Sequence, residues 1–76
     1  MSKQKAIMSA TLTEEENTVD AATRLKGNSY DLMVCLVTGS IHLLRSVEGA
    51  ARPALARIIM GAIEAYVEDG KLPPWM

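Results

Sequence analysis

Phenylalanine is absent from this chain of 76 residues, and aromatic side chains make up only 4% of it: Tyr30, Tyr66 and Trp75. Cysteine occurs once, at Cys35. A single thiol cannot build a disulfide framework, so a small secreted scaffold is excluded and a reducing cytoplasm is the expected compartment. No sign of charge dominates: 8 Lys and Arg stand against 9 Asp and Glu, for a net charge of −1. That balance lacks the basic excess with which a protein tracks nucleic acid. It also lacks the low hydrophobicity and high net charge of chain-long disorder. Long apolar runs are missing too. The longest stretch without formal charge, Leu32–Leu44, has thirteen residues, short of the roughly 20 that cross a bilayer. The opening Met1-Ser2-Lys3-Gln4-Lys5 leads into a brief apolar stretch that Glu14-Glu15-Glu16 interrupts, unlike a secretory signal. A soluble, cytoplasmic protein is the expectation.

What is present is aliphatic. Ala, Leu, Ile, Val and Met supply most of the 49% apolar content. A domain this small hides only about 60% of the surface its unfolded chain exposes, and without disulfide or metal it is marginal. Rich aliphatic content is one remedy and oligomerisation, or a partner, is another.

The opening residues show no period, and 1–12 read as a flexible arm. Thr13 with Glu16, and Thr11 with Glu14, have the spacing of a capping box. A helix over about 14–26 is expected after it, with Arg24 and Lys26 in the last turn and Gly27-Asn28 as its stop. Its apolar stripe, Val19, Ala21, Ala22 and Leu25, is thin. A second helix over 30–48, capped by Asn28 or Ser29, carries a clean face at Tyr30, Met33, Val34, Val37, Ile41 and Leu44. A further apolar face is formed by Leu32, Leu36, Leu43 and Val47, which makes this the central helix. The rival reading, a strand at Leu32–Val37, lacks a second strand to pair with. Gly39 marks either a close backbone approach or a kink. Gly49 ends the second helix, and Pro53 suits the first turn of a third over 52–69. Its stripe is Leu55, Ile58, Ile59, Ala62, Ile63, Tyr66 and Val67, closed by Gly70. Residues 71–76, Lys71-Leu72-Pro73-Pro74-Trp75-Met76, form an extended apolar tail. The expected fold is therefore all-α, a small three-helix domain spanning 13–70 between the arm and the tail.

Chemistry is scarce. Cys35 and His42, seven positions apart, are the minimum for thiol catalysis. Both sit in an aliphatic helix without an acidic group to orient the imidazole, and they read as structural. One His and one Cys cannot make a metal site, and no cofactor motif is present. Two helices joined through Gly49 have the outline of a helix-turn-helix, with Arg45, Arg52 and Arg57 clustered about the turn. The last helix, however, opens Pro53-Ala54-Leu55-Ala56-Arg57, with one side chain able to read a base. Nucleic-acid binding is the lesser reading. The surplus apolar faces favour a protein partner or a homodimer, through Leu32, Leu36, Leu43 and Val47, edged by Arg45, Arg52 and Arg57. Leu72 and Trp75 make a second adhesive place, since Trp is typical of binding hot spots. Trp75 folded back as core edge is the equal alternative.

The acidic opening Thr13-Glu14-Glu15-Glu16 and the helical pair over Tyr30–Asp69 resemble, in size, charge and layout, the quorum-sensing antiactivators of rhizobial mobile elements, such as QseM and, more distantly, TraM. The YmgB/AriR biofilm-regulator group is the second resemblance. The first implies a bacterial, non-enzymatic regulator that sequesters a transcriptional activator from DNA or polymerase, and it assigns no individual binding residue. The alternatives are a dimeric DNA-binding regulator and a structural subunit of a phage or secretion assembly.

Overall fold

A computed structural model describes residues 2–76. Its elements run β1 (Ile7–Glu15), β2 (Thr18–Lys26), α1 (Ser29–Ser46), a 3₁₀ turn (Gly49–Ala51) and α2 (Arg52–Asp69). The fold is α+β, not the expected all-α domain, and it is not a helical bundle. The chain falls into two units, one ending at Ser40 and the other Ile41–Met76.

In the first unit β1 and β2 pair antiparallel, from Ile7 opposite Lys26 to Glu15 opposite Thr18. Residues 14–26, expected as a helix, are instead the end of β1, a two-residue loop and β2. Half of the stretch read as a flexible arm, residues 7–12, belongs to β1. The physical reason is a period of two that outweighs the capping spacing. Met8, Ala10 and Leu12 alternate with polar residues on one strand, and Val19, Ala21 and Leu25 share one face of the other, with Thr23 between them. Thr11, Thr13, Thr18, Val19 and Thr23 are β-branched and fit a pleated strand better than a helix. As a helix the segment has only a thin stripe, whereas as a hairpin its apolar side chains share one face. Glu16 takes the positive φ (55°) that the tight loop demands. The Thr18 hydroxyl braces the loop by donating to the Glu15 carbonyl at 2.9 Å.

Gly27 joins the hairpin to α1 rather than ending a helix. Its φ is +132°, and a Cβ there would stand 2.7 Å from the Cβ of Ala6. Asn28 is the cap of α1: its Oδ1 accepts from the Asp31 backbone N–H at 2.8 Å, and its Nδ2 donates to Asp31 Oδ2 at 2.9 Å. Lys5 Nζ adds an ion pair to Asp31 at 3.5 Å. The segment Leu32–Val37 is helical, and a Cβ at Gly39 would meet nothing within 4 Å.

In the second unit Arg52 ties the turn together. Its guanidinium donates to the Val47 carbonyl and to the Arg45 carbonyl, each at 3.2 Å, and so satisfies acceptors that the end of α1 leaves open. Pro53 stands in the first turn of α2. Gly70, at φ 67°, ends the helix in a left-handed cap, with Gly70 N–H donating to Tyr66 C=O at 2.8 Å and Lys71 N–H to Ala65 C=O at 3.3 Å. The tail is not extended throughout: Met76 N–H returns to Pro73 C=O at 3.1 Å across a turn. Among the described residues none is buried in either unit.

Candidate functional site

The feature that sets this molecule apart is apolar surface on formed elements. On the hairpin, opposite residues of an antiparallel pair share a face. Met8 with Leu25, Ala10 with Thr23, Leu12 with Ala21 and Glu14 with Val19 therefore make one face, apolar along most of its length. Leu12 is 66% exposed. The opposite face, from Ile7 with Lys26 to Glu15 with Thr18, is polar at nearly every pair. Sequence reasoning missed this surface, although the alternation over Met8–Leu12 carries it.

On α1, Tyr30, Met33, Val34 and Val37 follow the i, i+3, i+4, i+7 spacing and form a continuous stripe. They are 45–69% exposed. This stripe was expected to face a core, and it meets solvent instead. The residues singled out as partner-binding divide differently. Leu32 and Val47 are half-buried, while Leu36 and Leu43 are exposed. Cys35 is half-buried and His42 exposed.

The arginines also separate. Arg45 and Arg57 are exposed, and Arg52 spends its fork on the carbonyls of residues 45 and 47. A guanidinium held in that way has fewer donors to offer a carboxylate or a phosphate. Its assignment as a docking residue had no way to include this, because a carbonyl acceptor leaves no mark in the sequence.

At the end of α2 the Gly70 turn brings the tail back beside the helix. Ala62, Ile63, Tyr66, Leu72, Pro73 and Met76 line an apolar cleft of about 330 Å³. A second recess of about 230 Å³ lies between Ala62 and Ala65 on one side and Lys71–Trp75 on the other. Leu72 lines both recesses and Trp75 the second; Trp75, 47% exposed, is neither core nor free. The cleft suits an aliphatic or aromatic side chain better than a charged ligand, since its walls hold almost no polar atoms. Among the described residues no group of three or more His, Cys, Asp or Glu is placed to hold a metal ion, and no helix is long and apolar enough to cross a membrane.

No family model, no curated protein and no solved structure matches this chain.

Proposed function

We propose that this chain is a non-enzymatic regulator that docks on another protein and holds it away from its targets. The observation that carries the reading is the exposed stripe Tyr30, Met33, Val34 and Val37 on a well-capped helix. Apolar side chains at that spacing, on an element already formed, are what a helix-to-helix interface requires. In the second unit the cleft at Ile63, Tyr66 and Leu72 supports it as a separate, smaller contact. The resemblance to QseM-type antiactivators supports a transcriptional activator as the occupant. The mechanism is occlusion: the bound activator loses access to DNA, to polymerase or to its own dimer contacts. The setting is the cytoplasm, in keeping with the lone thiol of Cys35. The DNA-binding alternative has less support, because Arg52 is engaged with backbone carbonyls.

The test is a photoreactive side chain at Val37, with His42 as the control position, cross-linked in source cells. A covalent complex with a DNA-binding activator at Val37 alone is expected. Adding the purified chain then dissolves the activator–promoter complex in a gel-shift measurement, and the Val37→Asp chain leaves it intact. Cross-linking to a capsid or secretion component, or direct salt-sensitive retention of duplex DNA, would sink the idea.

A further inference from the structure

The two edges of the hairpin differ in chemistry. β2 carries Asp20, Arg24 and Lys26, whereas no charge occurs from Ala6 to Thr13 along β1. Charges on an edge strand oppose pairing with another strand, and a long uncharged edge invites it. The need is present as well. A lone two-stranded hairpin is marginal in water, and this one has no buried residue.

The open side of β1 has a defined hydrogen-bonding pattern. A two-residue loop closes on a hydrogen-bonded pair, here Glu15 and Thr18, so the odd-numbered residues of β1 turn their backbone groups toward β2. The N–H and C=O groups of Met8, Ala10 and Leu12 then point to the open edge.

We propose that β1 is the seam of a homodimer, pairing antiparallel with β1 of a second copy about a two-fold axis at Ala10. The sheet becomes four strands in the order β2, β1, β1, β2. Met8 lies opposite Leu12 of the second copy, and the apolar faces of both hairpins join into one surface. Lys5 lies opposite Glu15 of the second copy, and the symmetry repeats this pair. The register is selective. A shift of two residues one way takes Lys5 off Glu15 and sets it against Thr13, and the other way sets Met8 against Glu14. A slip of one residue puts the apolar face of one copy beside the polar face of the other. The second copy is the favoured occupant because the edge is complementary to itself in shape, hydrogen bonding and charge, as a closed two-fold interface must be. This seam does not depend on what α1 binds.

The experiment uses the full chain. Sedimentation equilibrium should give a species of twice the 8.2 kDa chain mass. In a Cys35→Ser background, Ala10→Cys should oxidise to a covalent dimer. Cα atoms of a hydrogen-bonded antiparallel pair stand about 5.5 Å apart, within disulfide range. Thr23→Cys, the pair of Ala10 on the other strand, should not. Lys5→Glu and Glu15→Lys should each weaken the dimer, roughly fivefold by the usual worth of exposed ion pairs, and together restore it. Within one chain Lys5 and Glu15 stand at opposite ends of the hairpin, about 30 Å apart at strand rise. Lys5→Glu also loses the ion pair with Asp31, which Glu15→Lys does not repair, so the part of the dimer affinity that the double variant regains reports on the seam. A folded monomer, equal cross-linking at Thr23→Cys, or charge reversals that do not restore one another would overturn the proposal.

Discussion

Gly27 is the residue on which the first unit turns. Its φ of +132° lies where side chains other than hydrogen are strained, and the space a Cβ would take is already held by Ala6. Two separable costs follow from one substitution. Gly27→Ala is expected to destabilise the chain by about 1–3 kcal/mol through the backbone, with a further part from the Ala6 contact. Adding Ala6→Gly removes the 2.7 Å contact and should recover part of the cost, while the Ala6 Cα at 3.0 Å and the Lys5 carbonyl oxygen at 3.1 Å remain. Urea unfolding of the three chains at one fixed protein concentration separates them, and full recovery in the double variant would show that the backbone conformation costs nothing. Asn28 and Asp31 follow directly: the glycine delivers the chain to a cap in which the Asn28 amide both accepts from the Asp31 backbone N–H and donates to the Asp31 carboxylate. Arg52 holds the equivalent place in the second unit, closing the end of α1 with the donors that were expected to face a partner.

At the scale of elements, the hairpin is where local chemistry and observed structure conflict. Glu16 occupies a positive-φ position that favours Gly, Asn or Asp. Glu16→Gly should therefore stabilise the hairpin, by roughly 0.5–1 kcal/mol, since the strain of a left-handed side chain outweighs the added flexibility of glycine. A rise in melting temperature at constant concentration checks this, and an unchanged or lower value counts against the loop geometry. That same glutamate explains why the hairpin is hard to read. Glu15-Glu16-Asn17 lacks the Asn-Gly or Asp-Gly turn signal, and Thr13 with Glu16 copies a helix cap at the correct spacing. The alternation over Met8–Leu12 was legible, but its strength shows only when β2 is laid beside it. The helices were plainer. Ser29–Ser46 and Arg52–Asp69 occupy the stretches where the apolar period is 3.6 residues and where Asn28, Pro53 and Gly70 mark the ends. Which of their faces would remain uncovered was not legible, because periodicity shows that a face is apolar and says nothing of what stands against it. The tail cleft is a case in between: Gly70 announces the turn, and only the structure shows that Leu72 and Met76 return toward Ile63 and Tyr66.

For the whole molecule, the governing fact is surface. Neither unit has a buried residue among those described, and a chain of this mass hides only a modest share of its surface even when folded. Units of this size seldom sustain a core alone, and the usual substitutes, disulfide or metal, need ligands that the composition does not supply. Folding and association should then be one event. For a dimer that unfolds to two chains, each tenfold rise in protein concentration adds about 1.4 kcal/mol in favour of the folded state. Over a dimer of this size that shifts the midpoint upward by roughly 3–6 °C. Thermal melts followed by circular dichroism at concentrations from about 1 to 100 µM, a range set around ordinary interface affinities, should show that climb. A cooperative midpoint that stays fixed across the range would mean a self-sufficient monomer, and the exposed stripe on α1 would lose its physical motive. Absence of any cooperative transition at all concentrations would instead assign the covering of the apolar faces to another protein. In that case the chain folds when it docks, and its affinity carries the cost of ordering both units.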